Sequence, residues 1–249
     1  MSFTSVSGKN WIFKKFNSSD IKEYSEDYSL NEIVAKLLSI RKKNIEDISL
    51  FLNPTIKNLL PNPLRLKDME NAVERTYQSI KKRELIGVFG DYDVDGATST
   101  ALLTRYFLSI NQKIQIYIPD RKKEGYGPSV EGFNNLIKLG TKIIFTVDCG
   151  TSSFVPIKIA QNQNIDVIVL DHHQICDPPP RPIALVNPHL SSDEGRSFRE
   201  LCTAGLAFKL VHGLVKSGRE QKKSGFKEYD VRLLLDLVAL GTIADLVPL

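Results

Sequence analysis

Leu85-Ile86-Gly87-Val88-Phe89-Gly90-Asp91-Tyr92-Asp93-Val94-Asp95-Gly96 is an apolar run that breaks into an acidic, glycine-bounded turn. The apolar part has the length and composition of a buried strand, and Ala97–Leu108 after it reads as a buried helix. The same alternation continues downstream. Strands are expected over Lys113–Ile118, Lys142–Val147, Asp166–Leu170 and Ile183–Val186, with helices near Val130–Leu139 and Phe154–Gln163. Strands this apolar need cover on both faces, so the expected class is α/β, a doubly wound, mainly parallel sheet with helices on both sides. Two more helices are expected over Thr203–Leu214 and Tyr229–Leu240, with Lys216–Lys227 as a solvated loop between them.

Upstream of Leu85 the pattern differs. Residues 1–28 are polar and aperiodic and read as an irregular lead-in. Helices are expected over Leu30–Lys42 (capped by Ser29 or Asn31), Ile45–Leu52 and Asp68–Arg83, with a turn at Pro61-Asn62-Pro63. This divides the chain into a small helical extension, 1–84, and an α/β domain, 85–249.

Of the 249 residues, 42% are hydrophobic and 25% charged, which excludes disordered and low-complexity architectures. No apolar run approaches the roughly 18 residues of a membrane span. The opening residues lack the basic start and apolar core of a signal peptide, and three widely spaced cysteines fit neither a disulfide framework nor a zinc ribbon. The expected address is the cytoplasm. Residues 1–84 hold 15 Lys/Arg against 11 Asp/Glu, whereas 85–249 hold 18 of each. In the second part many acids gather in short motifs and leave the remainder basic, a distribution that suits a metal-centred site acting on an anionic substrate.

Doubly wound sheets bind ligands at the carboxyl ends of their strands. Here those ends carry Asp91, Asp93 and Asp95, then Asp148-Cys149-Gly150, then Asp171-His172-His173. Acids after strands often do no more than cap helices or favour turns, which accounts for one Asp but not for this set. In an extended segment Asp91, Asp93 and Asp95 project the same way. Carboxylates so crowded repel one another unless cations neutralise them, and oxygen donors with one or two imidazoles suit Mn²⁺ or Mg²⁺. A calcium loop of the EF-hand kind is excluded because its twelfth position, a Glu in that motif, is Leu102 here. Cys149 reads as a small buried residue, and His189 and His212 as surface or packing residues.

The motifs Asp91-Tyr92-Asp93-Val94-Asp95-Gly96, Val147-Asp148-Cys149-Gly150, Asp171-His172-His173 and Gly241-Thr242-Ile243-Ala244-Asp245 resemble, in type and order, those of the DHH phosphoesterase superfamily. Within it the similarity is greatest to the RecJ family of single-strand-specific 5′→3′ DNA exonucleases of repair and recombination. Supporting stretches are Phe51-Leu52-Asn53-Pro54, Ile118-Pro119-Asp120-Arg121, Glu124-Gly125-Tyr126-Gly127 and Val186-Asn187-Pro188. The resemblance implies two divalent cations, Mn²⁺ or Mg²⁺. It implies Asp93, Asp95, Asp148, His172 and Asp245 as ligands, Asp148 as the bridge, and Asp91 as a further ligand or its neighbour. It also implies His173 at the scissile phosphate and Asp171 as the group that orients the imidazoles. In that chemistry an activated water attacks phosphorus in line, and no Ser or Cys nucleophile is required. Arg121, with Lys122 and Lys123, is expected on the strand backbone, and Tyr126 either stacks a base or packs its loop.

Single-stranded DNA is the expected partner, with a single-strand-binding protein or helicase as further candidates and no membrane. Two alternatives stay open: a phosphodiesterase acting on oligoribonucleotides or cyclic dinucleotides, and an inactive remnant or non-catalytic nucleic-acid-binding subunit. Family members continue beyond the last motif into a second domain, so the expectation is a catalytic first domain without it.

Overall fold

The structure, a computed structural model, describes residues 2–41, 45–190, 198–222 and 228–248. It divides into two compact units, Met1–Pro61 and Asn62–Leu249.

The first unit opens on two short antiparallel strands, β1 (Ser2–Thr4) and β2 (Asn10–Ile12), with Phe3 opposite Trp11. Helices α1 (Ser18–Asp27), α2 (Glu32–Ile40), α3 (Ile45–Leu52) and α4 (Ile56–Leu59) follow. The irregular lead-in expected over 1–28 is therefore a hairpin and a helix. Its signals are local: Asn17 caps α1 by accepting from the Ser19 N–H, and β2 pairs in a register no periodicity over three residues reveals. Of the two expected caps of α2, Asn31 is the one used, accepting from the Ile33 N–H at 2.8 Å. Tyr24, Ala35, Leu38 and Ile48 form this unit's small core. Lys42 lies outside the described residues.

In the second unit, α5 (Met69–Lys82) packs on the α/β layers, so the division falls at Pro61 and not at residue 84. The sheet consists of β3 (Ile86–Gly90), β4 (Ile114–Tyr117), β5 (Ile143–Val147), β6 (Asp166–Leu170) and β7 (Ala184–Val186). All are parallel, in the order β4-β3-β5-β6-β7. Every residue of β3 and β5 is buried, as central strands covered on both sides must be.

Helices α6 (Val94–Ser109) and α10 (Thr203–Glu220) cover one face, where Phe107 meets Phe145 with ring centroids 5.9 Å apart. Helices α8 (Val130–Lys138) and α9 (Phe154–Asn162) cover the other, where Phe89 meets Phe133. A one-turn helix, α7 (Arg121–Glu124), interrupts the loop after β4, and α11 (Leu235–Ala244) packs against α6 and α10. Residues 216–220, expected in a loop, continue α10, because Val215 and Ser217 still face the core; 223–227 lie outside the described residues.

Strand order reverses beside β3, which has β4 on one side and β5 on the other. That reversal opens a crevice at the carboxyl ends of β3 and β5, the place where sheets of this order bind ligands.

Candidate metal centre

Each of three adjacent strands delivers an acid to one edge. The N–H groups of Asp91, Asp148 and Asp171 donate to the last carbonyls of the neighbouring strands, Val147, Leu170 and Val186, at 3.1–3.2 Å. The three residues thus hold equivalent positions one step beyond β3, β5 and β6. Asp148 sits there with φ +63°, in the left-handed region that few residues other than Gly, Asn and Asp tolerate. Strain of this kind is characteristic of side chains that the fold must aim.

The acidic turn behaves differently from the extended segment expected of it. Asp93 is the N-cap of α6, accepting from the Gly96 N–H at 3.0 Å, and Asp95 lies in the first turn. The alternation therefore does not send the three carboxylates the same way. Asp91 and Asp93 approach Asp148, whereas Asp95 turns towards His172 and Asp245. Gly96 is required by this turn, since a Cβ there would lie 2.5 Å from the Asp91 carbonyl oxygen.

The imidazole of His172 sits between the two groups. Its Nε2 is 3.5 Å from Asp148 Oδ1, 3.5 Å from Asp245 Oδ2 and 3.9 Å from Asp95 Oδ2. Three sets of possible metal-ligand atoms result, each within 4.8 Å of one another: Asp91, Asp93 and Asp148; Asp95, His172 and Asp245; and Asp148, His172 and His173. Asp148 and His172 each belong to two of them.

His173 is held from both sides. Asp171 is buried; its Oδ1 lies 2.7 Å from His173 Nδ1, and its Oδ2 accepts from the Thr151 N–H at 2.9 Å. On the other side, the Tyr126 hydroxyl lies 3.1 Å from His173 Nε2. The Asp171 bond raises the pKa of His173. Burial opposes ionisation of Asp171, but the bonds from His173 and Thr151 outweigh it and hold that carboxyl below the usual range.

Asp148, Asp91 and Asp245 respond in the opposite direction. Burial pushes Asp148 up to about 10, with the neighbouring Asp95 and Asp93 adding to the effect. Burial likewise raises Asp91 and Asp245. Asp91 Oδ1, Asp148 Oδ2 and His172 Nε2 are buried and have no hydrogen-bond partner among the described residues. Buried acceptors without donors, crowded until protonation is favoured, are what a cation would satisfy. The donor set, carboxylate oxygen with imidazole nitrogen, fits a hard or borderline divalent ion.

One contributor had no visible signal in the motifs. The first-turn N–H groups of α10 grip Asp95: Thr203 donates to Oδ2 at 2.6 Å and Ala204 to Oδ1 at 2.8 Å. Cys202, the N-cap, makes no side-chain cap bond, so Asp95 serves the helix in its place. Each carboxylate oxygen keeps a second lone pair. The Thr203 hydroxyl also donates to Asp148 Oδ1 at 3.2 Å. Gly241 lets α11 approach this corner, since a Cβ there would meet Ala204 Cβ at 2.7 Å and Asp95 Oδ1 at 2.9 Å. Asn187, just past β7, donates to the His173 carbonyl at 2.9 Å. The clue to both was the glycine and asparagine of the Gly241-Thr242 and Val186-Asn187-Pro188 stretches.

At the rim, the Arg121 guanidinium lies 4.9 Å from the centre of the Tyr92 ring, beside the acidic turn. Lys122 and Lys123 are exposed on α7, and Lys123 lies 3.7 Å from Asp120. Tyr126 is exposed although its hydroxyl is engaged. Cys149 is buried and its thiol raised well above its ordinary value by burial, which removes it as a nucleophile. Burial lowers His212 to about 4, consistent with a packing role beside Phe208.

Residues 85–242 match the DHH family, N-terminal domain. The chain belongs to the DHH family. Over 98% of its length it is 35% identical to the single-stranded-DNA-specific exonuclease RecJ of Bacillus subtilis (strain 168), covering 29% of that protein. Over 80% it is 39% identical to the enzyme of the same name from Escherichia coli (strain K12), covering 35% of it. This DHH chain therefore spans about a third of the length of these relatives. Among solved structures, exonuclease RecJ bound to manganese superposes with a TM-score of 0.64 at 32% identity, over 74% of this chain and 44% of that one. RecJ from Thermus thermophilus in complex with Mn²⁺ gives 0.74 at 25% identity, over 95% of this chain and 32% of that one. Among the described residues, no helix of this DHH chain is long and apolar enough to cross a membrane.

Proposed function

We propose that this chain carries the metal-dependent phosphodiester-hydrolysing centre of a 5′→3′ exonuclease specific for single-stranded DNA, serving repair and recombination. The observation that supports it most is the clustering of five carboxylates and two imidazoles at the β3/β5 crevice, with buried donor atoms left unpaired. The names of the similar proteins, and the manganese in the similar structures, support the substrate and the ion.

Asp93, Asp95, Asp148, His172 and Asp245, with Asp91 beside them, would hold two divalent cations, Mn²⁺ or Mg²⁺. When bound, such a pair would supply charge neutralisation at the phosphodiester and lower the pKa of the attacking water. The chain's own groups do the rest. The α10 N–H groups fix both oxygens of Asp95, so its orientation costs no reorganisation during reaction. Asp171 accepts the Nδ1 proton of His173 in a hydrogen bond and favours the imidazolium, whose Nε2–H, beside the Tyr126 hydroxyl, would turn to a phosphate oxygen when a strand binds. Arg121, stacked on Tyr92, and Lys122 receive backbone phosphates, while the exposed ring of Tyr126 faces a base.

Single strands arise where duplexes are opened, so a helicase or single-strand-binding protein is the partner class such an activity uses. Three free cysteines, two of them buried, suit a reducing compartment such as the cytoplasm. The test is to incubate the chain with Mn²⁺ and a labelled single strand, a blunt duplex or a cyclic dinucleotide. Mononucleotide release from the 5′ end of the single strand alone is the expected result. Preference for the cyclic dinucleotide would contradict the proposal.

A further inference from the structure

The first fifteen described residues carry lysines and aromatics but no acid, the earliest Asp or Glu being Asp20. The β1–β2 hairpin puts Phe3, Trp11 and Phe13 on one face, because Phe3 pairs with Trp11 and Phe13 lies two residues further on. Phe3 and Trp11 stack with centroids 6.0 Å apart and planes 6° from parallel, and Phe13 lies 6.0 Å from Phe3. These rings are not core. Trp11 is 57% exposed, Phe13 62% and Phe16 45%. Beside them lies a groove of about 520 Å³ lined by Phe13, Lys14, Lys15, Phe16 and Lys36, in which the Lys36 ammonium sits 4.7 Å from the centre of the Phe16 ring.

Two chemistries meet on this surface. Exposed aromatic faces offer stacking to any base, worth about 1–3 kcal/mol each in proteins that bind single strands. Lysines between them meet the backbone phosphates that run alongside stacked bases. A duplex, whose bases already stack on one another, cannot use the rings. We propose that the N-terminal unit carries a sequence-tolerant single-stranded nucleic-acid platform, with Trp11, Phe13 and Phe16 as stacking rings and Lys14, Lys15 and Lys36 as phosphate contacts. None of these residues belongs to the carboxylate–imidazole cluster. The choice of a nucleic acid as occupant rests on the proposed function together with the chemistry of the surface: three lysines and no acid line an aromatic groove, which matches a polyanion that also carries planar bases.

Trp11 is the chain's single tryptophan, so its fluorescence reports this surface alone. The full chain is titrated in EDTA, which suppresses metal-dependent hydrolysis, with oligothymidylate and with a blunt duplex of equal length. The expected result is saturable quenching by the single strand and little by the duplex. Affinity should fall with salt, and a Lys14→Glu, Lys15→Glu double variant should bind at least tenfold more weakly with a salt slope shallower by about 1.4, two phosphates' worth. Both lysines are exposed beyond the end of β2, and unchanged circular dichroism establishes that the variant is folded. Absence of saturable quenching overturns the platform, as does an unaltered affinity in the double variant. So does a Trp11 signal that tracks protein concentration without DNA and coincides with dimer formation in sedimentation, which assigns the patch to a second copy. Hydrolysis in Mn²⁺ is scored separately: hydrolysis without quenching removes the platform alone, and quenching without hydrolysis removes the proposed exonuclease alone.

Discussion

Asp171→Asn isolates what the buried carboxylate does for His173. The carboxylate accepts on both oxygens: Oδ2 from the Thr151 N–H at 2.9 Å, and Oδ1 from the His173 ring at 2.7 Å and the His173 N–H at 3.2 Å. An asparagine of the same shape has one acceptor oxygen and one amide nitrogen. The Thr151 N–H belongs to a buried residue fixed by the chain, so leaving it opposed to an NH₂ costs about 1–3 kcal/mol. Whichever way the amide turns, its NH₂ opposes either the Thr151 N–H or the His173 N–H and ring, so one side of the network is lost. With the oxygen on Thr151, His173 Nδ1 must accept, which puts the proton on Nε2; with the oxygen on His173, the Thr151 N–H is left unpaired, and in both cases the ring loses its anionic partner. The loss is twofold: the negative charge that raises the His173 pKa disappears, and the tautomer is fixed by an amide instead of a carboxylate.

The interaction removed is a charge-assisted hydrogen bond, about 1.5–3 kcal/mol. At about 1.36 kcal/mol per factor of ten, activity on single strands should fall roughly ten- to two-hundredfold, with stability changing far less than in Asp171→Ala. In metal-free protein, the ¹⁵N-detected titration of His173 should move to lower pH, because the raised value depends first on Asp171. A variant with wild-type activity and an unmoved His173 titration would refute the positioning role.

Three further outcomes are expected. Gly241→Ala drives a methyl into Ala204 and Asp95, so it should cost about 1–3 kcal/mol in thermal unfolding and weaken Mn²⁺ binding by displacing Asp245; unchanged metal affinity would show that α11 tolerates the shift. Arg121→Ala should flatten the salt dependence of single-strand affinity by about 0.7, one phosphate's counterion release, as measured in Ca²⁺ to slow hydrolysis. Asp148→Asn should stabilise the metal-free protein at pH 8. A carboxyl whose folded pKa is raised loses stability as pH climbs from its unfolded value near 4 towards the folded one, about 10, and the amide carries no such penalty. A rise in Tm of at least about 2–4 °C, the equivalent of about 1 kcal/mol, is expected in EDTA and should vanish at pH 4; equal Tm at both pH values would count against the buried charge.

The sheet was legible because β3 and β5 are buried on both faces and so carry mostly apolar runs, broken only by Thr146, each followed by Asp. The cluster was legible for the same reason, since parallel strands deliver their ends to one edge. The way Asp95 is used was not. Its geometry depends on α10, more than 100 residues away in sequence, whose first turn has no acid of its own and borrows this one. Alternation misled for Asp91, Asp93 and Asp95 because Asp93 caps α6 and changes the period from two to about 3.6 within the motif itself. The N-terminal hairpin escaped because three-residue strands carry no periodicity, and α5 was placed with the extension because a charged amphipathic helix shows which face is apolar but not what covers it.

Two divalent cations in the β3/β5 crevice would be seen by anomalous diffraction from crystals of the chain grown with Mn²⁺ and measured at the manganese edge. Two peaks are expected, with Asp148 contacting both, Asp95, His172 and Asp245 around one and Asp93 at the other. A single peak away from these side chains, or none at saturating Mn²⁺, would contradict that occupancy.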